Sequence, residues 1–194
     1  NEAGDETANN AANNEPNNTA NNTANNEGGE PREPVAVRVA TYNVSFHRDR
    51  AGELIEDLGD ASHAQAAQVA TILQKVRPDI ILLNEFDFDA NGEALGLFVE
   101  NFLATSQGDG LEPLSYPHRY VAPSNTGVSS GQDLDNNGEV VSDEGERNYG
   151  GDCFGFGLYP GQFAFAVLSR YPIDEASIRT FQNFLWRDMP DSNL

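Results

Sequence analysis

The chain has 194 residues and a formal net charge of −20, which results from 11 Lys and Arg against 31 Asp and Glu. Because affinity for nucleic acid depends mainly on cationic contacts with phosphates, this charge argues against binding of bulk nucleic acid and favours binding of metal cations. The single cysteine, Cys153, excludes an internal disulfide, and no apolar run is long enough for a membrane-spanning helix.

Residues 1–34 differ in composition from the rest of the chain. They contain almost no large apolar side chain, and the pair Asn-Asn recurs at regular intervals between Asn9 and Asn26. We therefore expect a disordered Asn/Thr-rich tail, followed by one domain over residues 35–194. Such a tail resembles that of exported or lipid-anchored bacterial surface proteins whose leader has been removed, and predicts a secreted, periplasmic or cell-surface location. The alternative is a plain flexible N-terminus of a soluble protein.

The first part of the domain shows a strand–helix–strand pattern. Residues 35–43 are rich in β-branched side chains and predict a strand that ends at Asn43. Ser62 and Gln65 form a capping box ahead of an apolar face at helical spacing, which ends before Pro78. The apolar run that follows, residues 80–83, predicts a strand buried on both faces that leads into Glu85.

The second part of the domain predicts one more helix and several strands. Apolar residues at helical spacing indicate a helix over residues 93–105, and strands are expected at 119–122, 162–169 and 177–181. Between them, a Gly-, Asn-, Asp- and Ser-rich loop covers residues 123–161. A loop of this length in a domain is usually functional or mobile. Strands with outer helices favour a layered α/β sandwich.

Two polar residues, Asn43 and Glu85, each end an apolar strand. If these strands are neighbours in a sheet, both side chains emerge at the same edge, within reach of one ligand. An Asn amide can bind a phosphate oxygen, and a Glu carboxylate is a hard oxygen ligand suited to Mg²⁺ or Mn²⁺. The spacing alone leaves open the alternative that both are ordinary strand-end residues.

Three motifs in order resemble the endonuclease/exonuclease/phosphatase superfamily: "VATYN" at 39–43, "RPDIILLNEFD" at 77–87 and "GQFAFAVLSRYPI" at 161–173. The resemblance implies an α/β (α+β) four-layer sandwich of two β-sheets flanked by helices, and hydrolysis of phosphoesters with a divalent metal. It assigns Glu85 as the main Mg²⁺ (or Mn²⁺) ligand and Asn43 as a residue that helps to hold the phosphate.

The chain departs from the family pattern near Glu85. Asn84 stands where the family often has Gln, and Asp87 stands where some branches have Arg. Asp87 is either a second carboxylate ligand to the metal or a solvated side chain.

Two further motifs of the family are missing. No strand-end Asp-x-Asn and no late Asp-His pair follow the apolar strands, and His47, His63 and His118 come too early to serve as the catalytic base. We therefore expect the chain to hold the first half of the sandwich and part of the second. The water-activating residues would then lie beyond Leu194, or on a second polypeptide, and the chain alone would be inactive.

The long loop matches a calcium-binding template. Asp133, Asp135, Asn137, Glu139 and Glu144 fall at positions 1, 3, 5, 7 and 12, with Gly138 at the sharp turn of position 6. A bound Ca²⁺ would relieve the repulsion between these acids and order the loop. A solvated acidic loop is the alternative.

The sequence as a whole predicts a metal-dependent phosphoesterase, phosphodiesterase or nuclease. The acidic surface favours small extracellular phosphoesters over polymeric nucleic acid. The sequence does not identify the substrate. The alternative function is a calcium-binding, surface-attached interaction module that keeps the fold without catalysis.

Overall fold

The computed structural model describes residues 35–191, and within them the strands form one mixed sheet. The strands are β1 (Val39–Phe46), β2 (Ile80–Phe86), β3 (His118–Val121) and β4 (Phe165–Ser169), in the spatial order β1-β2-β4-β3. The helices are α1 (Glu53–Gly59), α2 (Ala64–Val76) and α3 (Glu93–Leu97), the last continued by a π-helical segment, Phe98–Leu103. Short 3₁₀ turns occupy Tyr149–Asp152, Glu175–Ser177 and Trp186–Asp188. The predicted α/β class is confirmed.

The order of the strands brings three chain segments together at one end of the strands, which we call the strand-end edge of the sheet. β1 and β2 run parallel with Asn43 opposite Asn84, and β4 runs antiparallel to β2 with Phe165 opposite Asn84. The C-terminal ends of β1 and β2 and the N-terminal approach to β4 therefore share this edge. A register shift between Asn43 and Phe46 bends the end of β1 at the same place.

The core lies between the sheet and the helices. Ile81 and Leu83 of β2 are fully buried, and they belong to the same cluster as the buried face of α2, which consists of Ala66, Val69, Ala70 and Leu73. Phe46 anchors an aromatic group, with edge-to-face contacts to Phe86 at 5.8 Å and to Phe98 at 5.3 Å between ring centroids. These contacts fix the ends of β1 and β2, where the polar residues begin.

The predicted burial of β2 on both faces is wrong. Its residues alternate, since Ile81 and Leu83 are buried while Ile80 and Leu82 are only half-buried. All four residues from Ile80 to Leu83 are apolar, which is consistent with a second face of the sheet that is also partly covered. The face that packs on the helices is therefore identified by which residues are buried, and not by which residues are apolar.

The predicted capping box is also wrong, although the extent of the helix is close. His63 is the N-cap of α2, with its Nδ1 accepting a hydrogen bond from the backbone N–H of Ala66 at 3.4 Å. Ser62 instead donates to Asp60 at 2.7 Å, and the amide of Gln65 donates to the carbonyl of Ser45 at 2.9 Å. Both side chains have other partners, so Ser62 and Gln65 do not form the reciprocal hydrogen bonds of a capping box, although the sequence matches the motif.

Two other elements differ from the sequence prediction. Helix α1 was not predicted, because it is short, begins at Gly52 without a side-chain cap and has only Leu54 and Leu58 as buried residues. The strand predicted at 177–181 is absent, since this part of the described chain contains only the 3₁₀ turn Glu175–Ser177. Three other predictions come close to the observed elements: the helix at 93–105 and the strands that became β3 and β4.

Candidate active site

Asn43 and Glu85 lie in contact at the shared edge of the sheet. The amide Nδ2 of Asn43 donates a hydrogen bond to Oε1 of Glu85 at 2.6 Å, and its Oδ1 accepts one from the backbone N–H of Ser45 at 3.0 Å. The parallel pairing of β1 with β2 produces this contact, because Asn43 lies opposite Asn84 and Glu85 is the next residue along β2. The sequence prediction that the two side chains lie within reach of one ligand holds in the structure.

The backbone at this edge has an uncommon conformation. Glu85 has φ 54° and Ser45 has φ 51°, both in the left-handed region that non-glycine residues seldom occupy. Each such residue costs of order 1–3 kcal/mol and persists only where its surroundings hold it. Two backbone bonds do so here: Phe86 donates to the carbonyl of Ala164 at 3.2 Å, and Asp87 donates to that of Phe46 at 3.2 Å. The strained backbone therefore includes Glu85, the residue that the sequence predicted as the main metal ligand.

His47 lies next to Glu85. Its Nε2 is 3.8 Å from Oε2 of Glu85, and about a third of each side chain is exposed (37% and 34%). From sequence, His47 comes too early in the chain to match the late histidine of the family, and no role was predicted for it. The feature of the sequence that could have identified His47 is its position four residues after Asn43, directly after the last residue of β1. The other two histidines lie elsewhere, His63 at the start of α2 and His118 in β3.

Asp87 is buried, with 6% of its surface exposed, and its carboxylate joins three parts of the chain. Its Oδ2 accepts hydrogen bonds from the backbone N–H of Arg48 at 2.7 Å and from the hydroxyl of Tyr159, and its Oδ1 accepts one from the backbone N–H of Phe163 at 3.0 Å. Burial raises the pKa of Asp87, while these donors act in the opposite direction. Burial and the neighbouring Asp87 carboxylate raise the pKa of Tyr159. The alternative of a solvated Asp87 is wrong, because the bend at Glu85 turns the next carboxylate inward.

A second acidic group lies in the long loop. One carboxylate oxygen from each of Asp133, Asp135 and Asp152 lies within 4.8 Å of the others, a spacing that could hold a metal ion. Asp152 is fully buried, and it accepts from the backbone N–H groups of Val141 at 2.8 Å and Leu134 at 2.9 Å. The Val141 bond is the main cause of its lowered pKa, so Asp152 is held as a carboxylate. We call these three residues the loop triad.

Backbone donors shape the loop around the triad. Asp133 accepts from the N–H groups of Asn137 at 3.0 Å and Gly138 at 2.9 Å, and the side-chain oxygen of Asn137 accepts from the backbone N–H of Glu139 at 2.9 Å. Gly151 leaves room for the Asp135 carboxylate, because a Cβ there would overlap its Oδ2. This turn agrees with the first part of the calcium-loop template.

The last part of the template does not agree with the structure. Glu144 lies outside the group of carboxylates that the described residues bring together, and Asp152 takes the third place, whereas Glu139 would bind through its backbone carbonyl in the template. The reason is that the N–H of Val141 bonds to Asp152, so the chain turns towards that residue instead of bringing Glu144 back. Sequence reasoning missed Asp152 because it lies outside the twelve-residue span of the template.

Taken together, the mixed sheet and its helices define an α/β protein in which a polar pair, Asn43 and Glu85, lies at the strand ends. A family model described as "Endonuclease/Exonuclease/phosphatase family" matches residues 40–194. The chain therefore belongs to the endonuclease/exonuclease/phosphatase family, whose members hydrolyse phosphoesters, typically with a divalent metal. Searches of curated proteins and of solved structures found no match. Among residues 35–191, no helix has both the length and the apolar character needed to cross a membrane.

Proposed function

We propose that the protein is a divalent-metal-dependent hydrolase of phosphoester or phosphodiester bonds, with Glu85 as the metal ligand and Asn43 as the residue that orients the phosphate. The observation that carries this proposal is the hydrogen bond between Asn43 and Glu85, 2.6 Å long, at the strand-end edge of a chain from a phosphoester-hydrolysing family. The family match favours the hydrolase over the non-catalytic calcium-binding module.

The residues at the edge fit a hydrated Mg²⁺ or Mn²⁺ ion. Glu85 offers a hard carboxylate oxygen, a third of its side chain is open to solvent, and its Oε2 lies 3.8 Å from Nε2 of His47. Such an ion, when bound, would polarise the phosphoryl oxygen and stabilise the charge that develops on it. Asn43 holds Glu85 in one orientation in the structure, and its amide protons are also suitable donors to a phosphate oxygen.

We propose a different role for Asp87 from the one the sequence suggested. Three protein donors already engage its carboxylate, so its contribution is to hold the loop after β1 and the turn before β4 against the end of β2. In this proposal, Glu85 is the only ligand that the "NEFD" segment supplies, and Asp87 keeps it in place.

The experiment that tests the hydrolase proposal is the Mg²⁺-dependent hydrolysis of a chromogenic phosphodiester by the full-length protein. Glu85→Gln keeps the size of the side chain and removes its charge, and we expect it to lower the rate by at least about a hundredfold. Glu112→Gln, an exposed glutamate in the segment before β3, is the matched control and should leave the rate unchanged. A Glu85→Gln rate equal to that of the wild type would contradict the assignment.

We also propose that the loop triad binds Ca²⁺. The supporting observation is that Asp133, Asp135 and Asp152 bring three carboxylate oxygens within 4.8 Å of one another. Three anionic oxygens at this distance repel each other, and a hard cation with flexible coordination would remove that repulsion. This ion would order the loop and take no part in the reaction at Glu85.

For location and substrate size, we propose an extracytoplasmic protein that acts on small phosphoesters. The support is the polar composition of residues 1–34 and the net charge of −20, which opposes the approach of a polyanion. Residues 35–194 would act as one domain in this setting.

A further inference from the structure

Three aromatic rings lie in a continuous row of contacts that begins beside Glu85 at the strand-end edge. The ring centroids of His47 and Phe163 are 4.5 Å apart, and those of Phe163 and Phe156 are 6.2 Å apart. The first ring is the imidazole that lies 3.8 Å from Glu85. We call His47, Phe163 and Phe156 the ring row.

The middle ring is held in place by a strained backbone. Phe163 has φ 58°, which is an outlier for a bulky residue, and its N–H donates to Oδ1 of Asp87 at 3.0 Å. The preceding residue, Gln162, is buried and accepts a hydrogen bond from the N–H of Leu158 at 2.7 Å. Strain of this kind persists where surrounding contacts fix it, and it concentrates at ligand-binding positions. The position of the Phe163 ring against His47 is thus fixed by Asp87.

The outermost ring is exposed and yet firmly placed. Phe156 has 62% of its surface open to solvent. A Cβ at Gly150 would lie 2.8 Å from its Cε2, so the ring lies against a glycine that has no side chain to displace it. An exposed ring that is in contact with a second ring presents a free aromatic face on which another flat ring can stack. Phe156 therefore ends the ring row with a solvent-exposed ring.

We propose that the ring row binds a planar aromatic ring of the substrate, such as a nucleobase, while the attached phosphate lies at Glu85. This inference rests on the proposed hydrolase function and specifies its substrate class. Aromatic side chains stack on any nucleobase because every base has a π-face, whereas an aliphatic sugar or a lipid headgroup has no such face. The net charge of −20 selects against long polyanions, so the substrate has the size of a single nucleotide.

The test compares equilibrium binding of adenosine monophosphate and ribose phosphate to the full-length protein by calorimetry, in the presence of Mg²⁺. The two ligands share the sugar and the phosphate and differ in the ring. We expect adenosine monophosphate to bind about tenfold more tightly than ribose phosphate. A difference of this size is the affinity typically lost when an aromatic residue that stacks on one base is replaced by alanine. Phe156→Ala should remove that advantage and leave ribose phosphate binding unchanged, and Phe156→Tyr should keep it.

Phe154→Ala is the matched control, because Phe154 lies in the same loop with 64% of its surface exposed and makes no ring contact with the ring row among the described residues. It should change neither affinity. The proposal is overturned if Phe156→Ala weakens both ligands equally, weakens neither, or acts no differently from Phe154→Ala. Hydrolysis distinguishes the two proposals: a Glu85-dependent rate without a Phe156-dependent preference overturns the ring row alone. A Phe156-dependent preference without any hydrolysis overturns the hydrolase alone.

Discussion

The strand-end pair and the loop triad both bring side-chain oxygens together, but the chain builds them in different ways. Asn43 and Glu85 are separated by 42 positions in the sequence, and the parallel register of β1 and β2 brings them together. Asp133, Asp135 and Asp152 belong to one loop and are placed by backbone N–H groups. The first site is thus supported by the sheet, and the second by its own turn.

This difference predicts how the two sites respond to a metal. The Asn43–Glu85 pair satisfies itself with an internal hydrogen bond, so its geometry does not depend on a cation. The loop triad gathers three carboxylates, and none of them takes part in a salt bridge among the described residues, so a bound cation would lower their repulsion. We expect metal to change activity at the first site and stability at the second.

The largest effect is expected from breaking the support of the strand-end site. Asp87→Ala would leave the N–H groups of Arg48 and Phe163 and the hydroxyl of Tyr159 without their acceptor in a buried position. We expect the free energy of unfolding to fall by about 3 kcal/mol, as for other lost partners of buried donors. Urea unfolding measures this change.

Asp109→Ala is the control for that experiment, since Asp109 is an exposed acid in a surface turn. It should change the free energy of unfolding by less than about 0.5 kcal/mol. Equal losses for Asp87→Ala and Asp109→Ala would show that the buried carboxylate does not hold the edge together. The calcium response of the loop should be the same in both variants, because the triad does not share the Asp87 contacts.

The next effect concerns the loop triad. Calcium at a concentration of 100 times its Kd should stabilise the fold by about 2.7 kcal/mol, provided that the unfolded chain does not bind it. Thermal unfolding with and without Ca²⁺ measures the shift. Asp133→Asn should abolish the shift, whereas Asp143→Asn, an exposed acid outside the triad, should preserve it. A Tm that calcium leaves unchanged would rule out a calcium site in the loop.

The smallest effect is expected at the opposite end of the strands. The N–H of Arg38 and the guanidinium of Arg170 both donate to Asp79 at 2.8 Å, and the Arg38 bond is the main cause of its lowered pKa. Because the folded pKa lies below the ordinary value of 3.8, the charged form contributes stability above that pH, and the contribution is lost as the pH falls through the folded pKa.

Asp79→Asn should therefore lower Tm at about pH 7, and the difference from the wild type should shrink at about pH 3. Neither the activity at Glu85 nor the calcium response should change, since Asp79 lies at the start of β2 and Glu85 near its end. Thermal unfolding at both pH values measures this. A Tm difference that is constant with pH would show that the charge of Asp79 does not contribute.

The contact between Asn43 and Glu85 was predictable from sequence because an apolar run leads into each of them, although the predicted end of the first strand at Asn43 is wrong: β1 continues to Phe46 beyond a register shift. Phe163 and His47 were not predictable, since their placement depends on the left-handed backbone at Glu85 and Phe163 and on the inward turn of Asp87. The order of polar and apolar residues in the sequence does not indicate these backbone conformations. They arise where β2 pairs with its neighbours in the folded sheet.

The loop was predictable only over its first turn. The side chains of Asp133 and Asn137 bond to nearby N–H groups, so a short template captures them. Asp152 is brought in by a longer-range bond to Val141, which no template of fixed length contains. The same limit explains the missed helix α1, whose two buried leucines give too little periodic signal.

The most direct measurement of the central claim is the Mg²⁺ dependence of phosphodiester hydrolysis by the full-length protein, with the two sites altered in turn. The account predicts that Glu85→Gln lowers the rate at saturating Mg²⁺ by at least about a hundredfold, while Asp133→Asn leaves it within about twofold of the wild type. The opposite result, with hydrolysis lost in Asp133→Asn and kept in Glu85→Gln, would place the reaction at the loop and contradict the account.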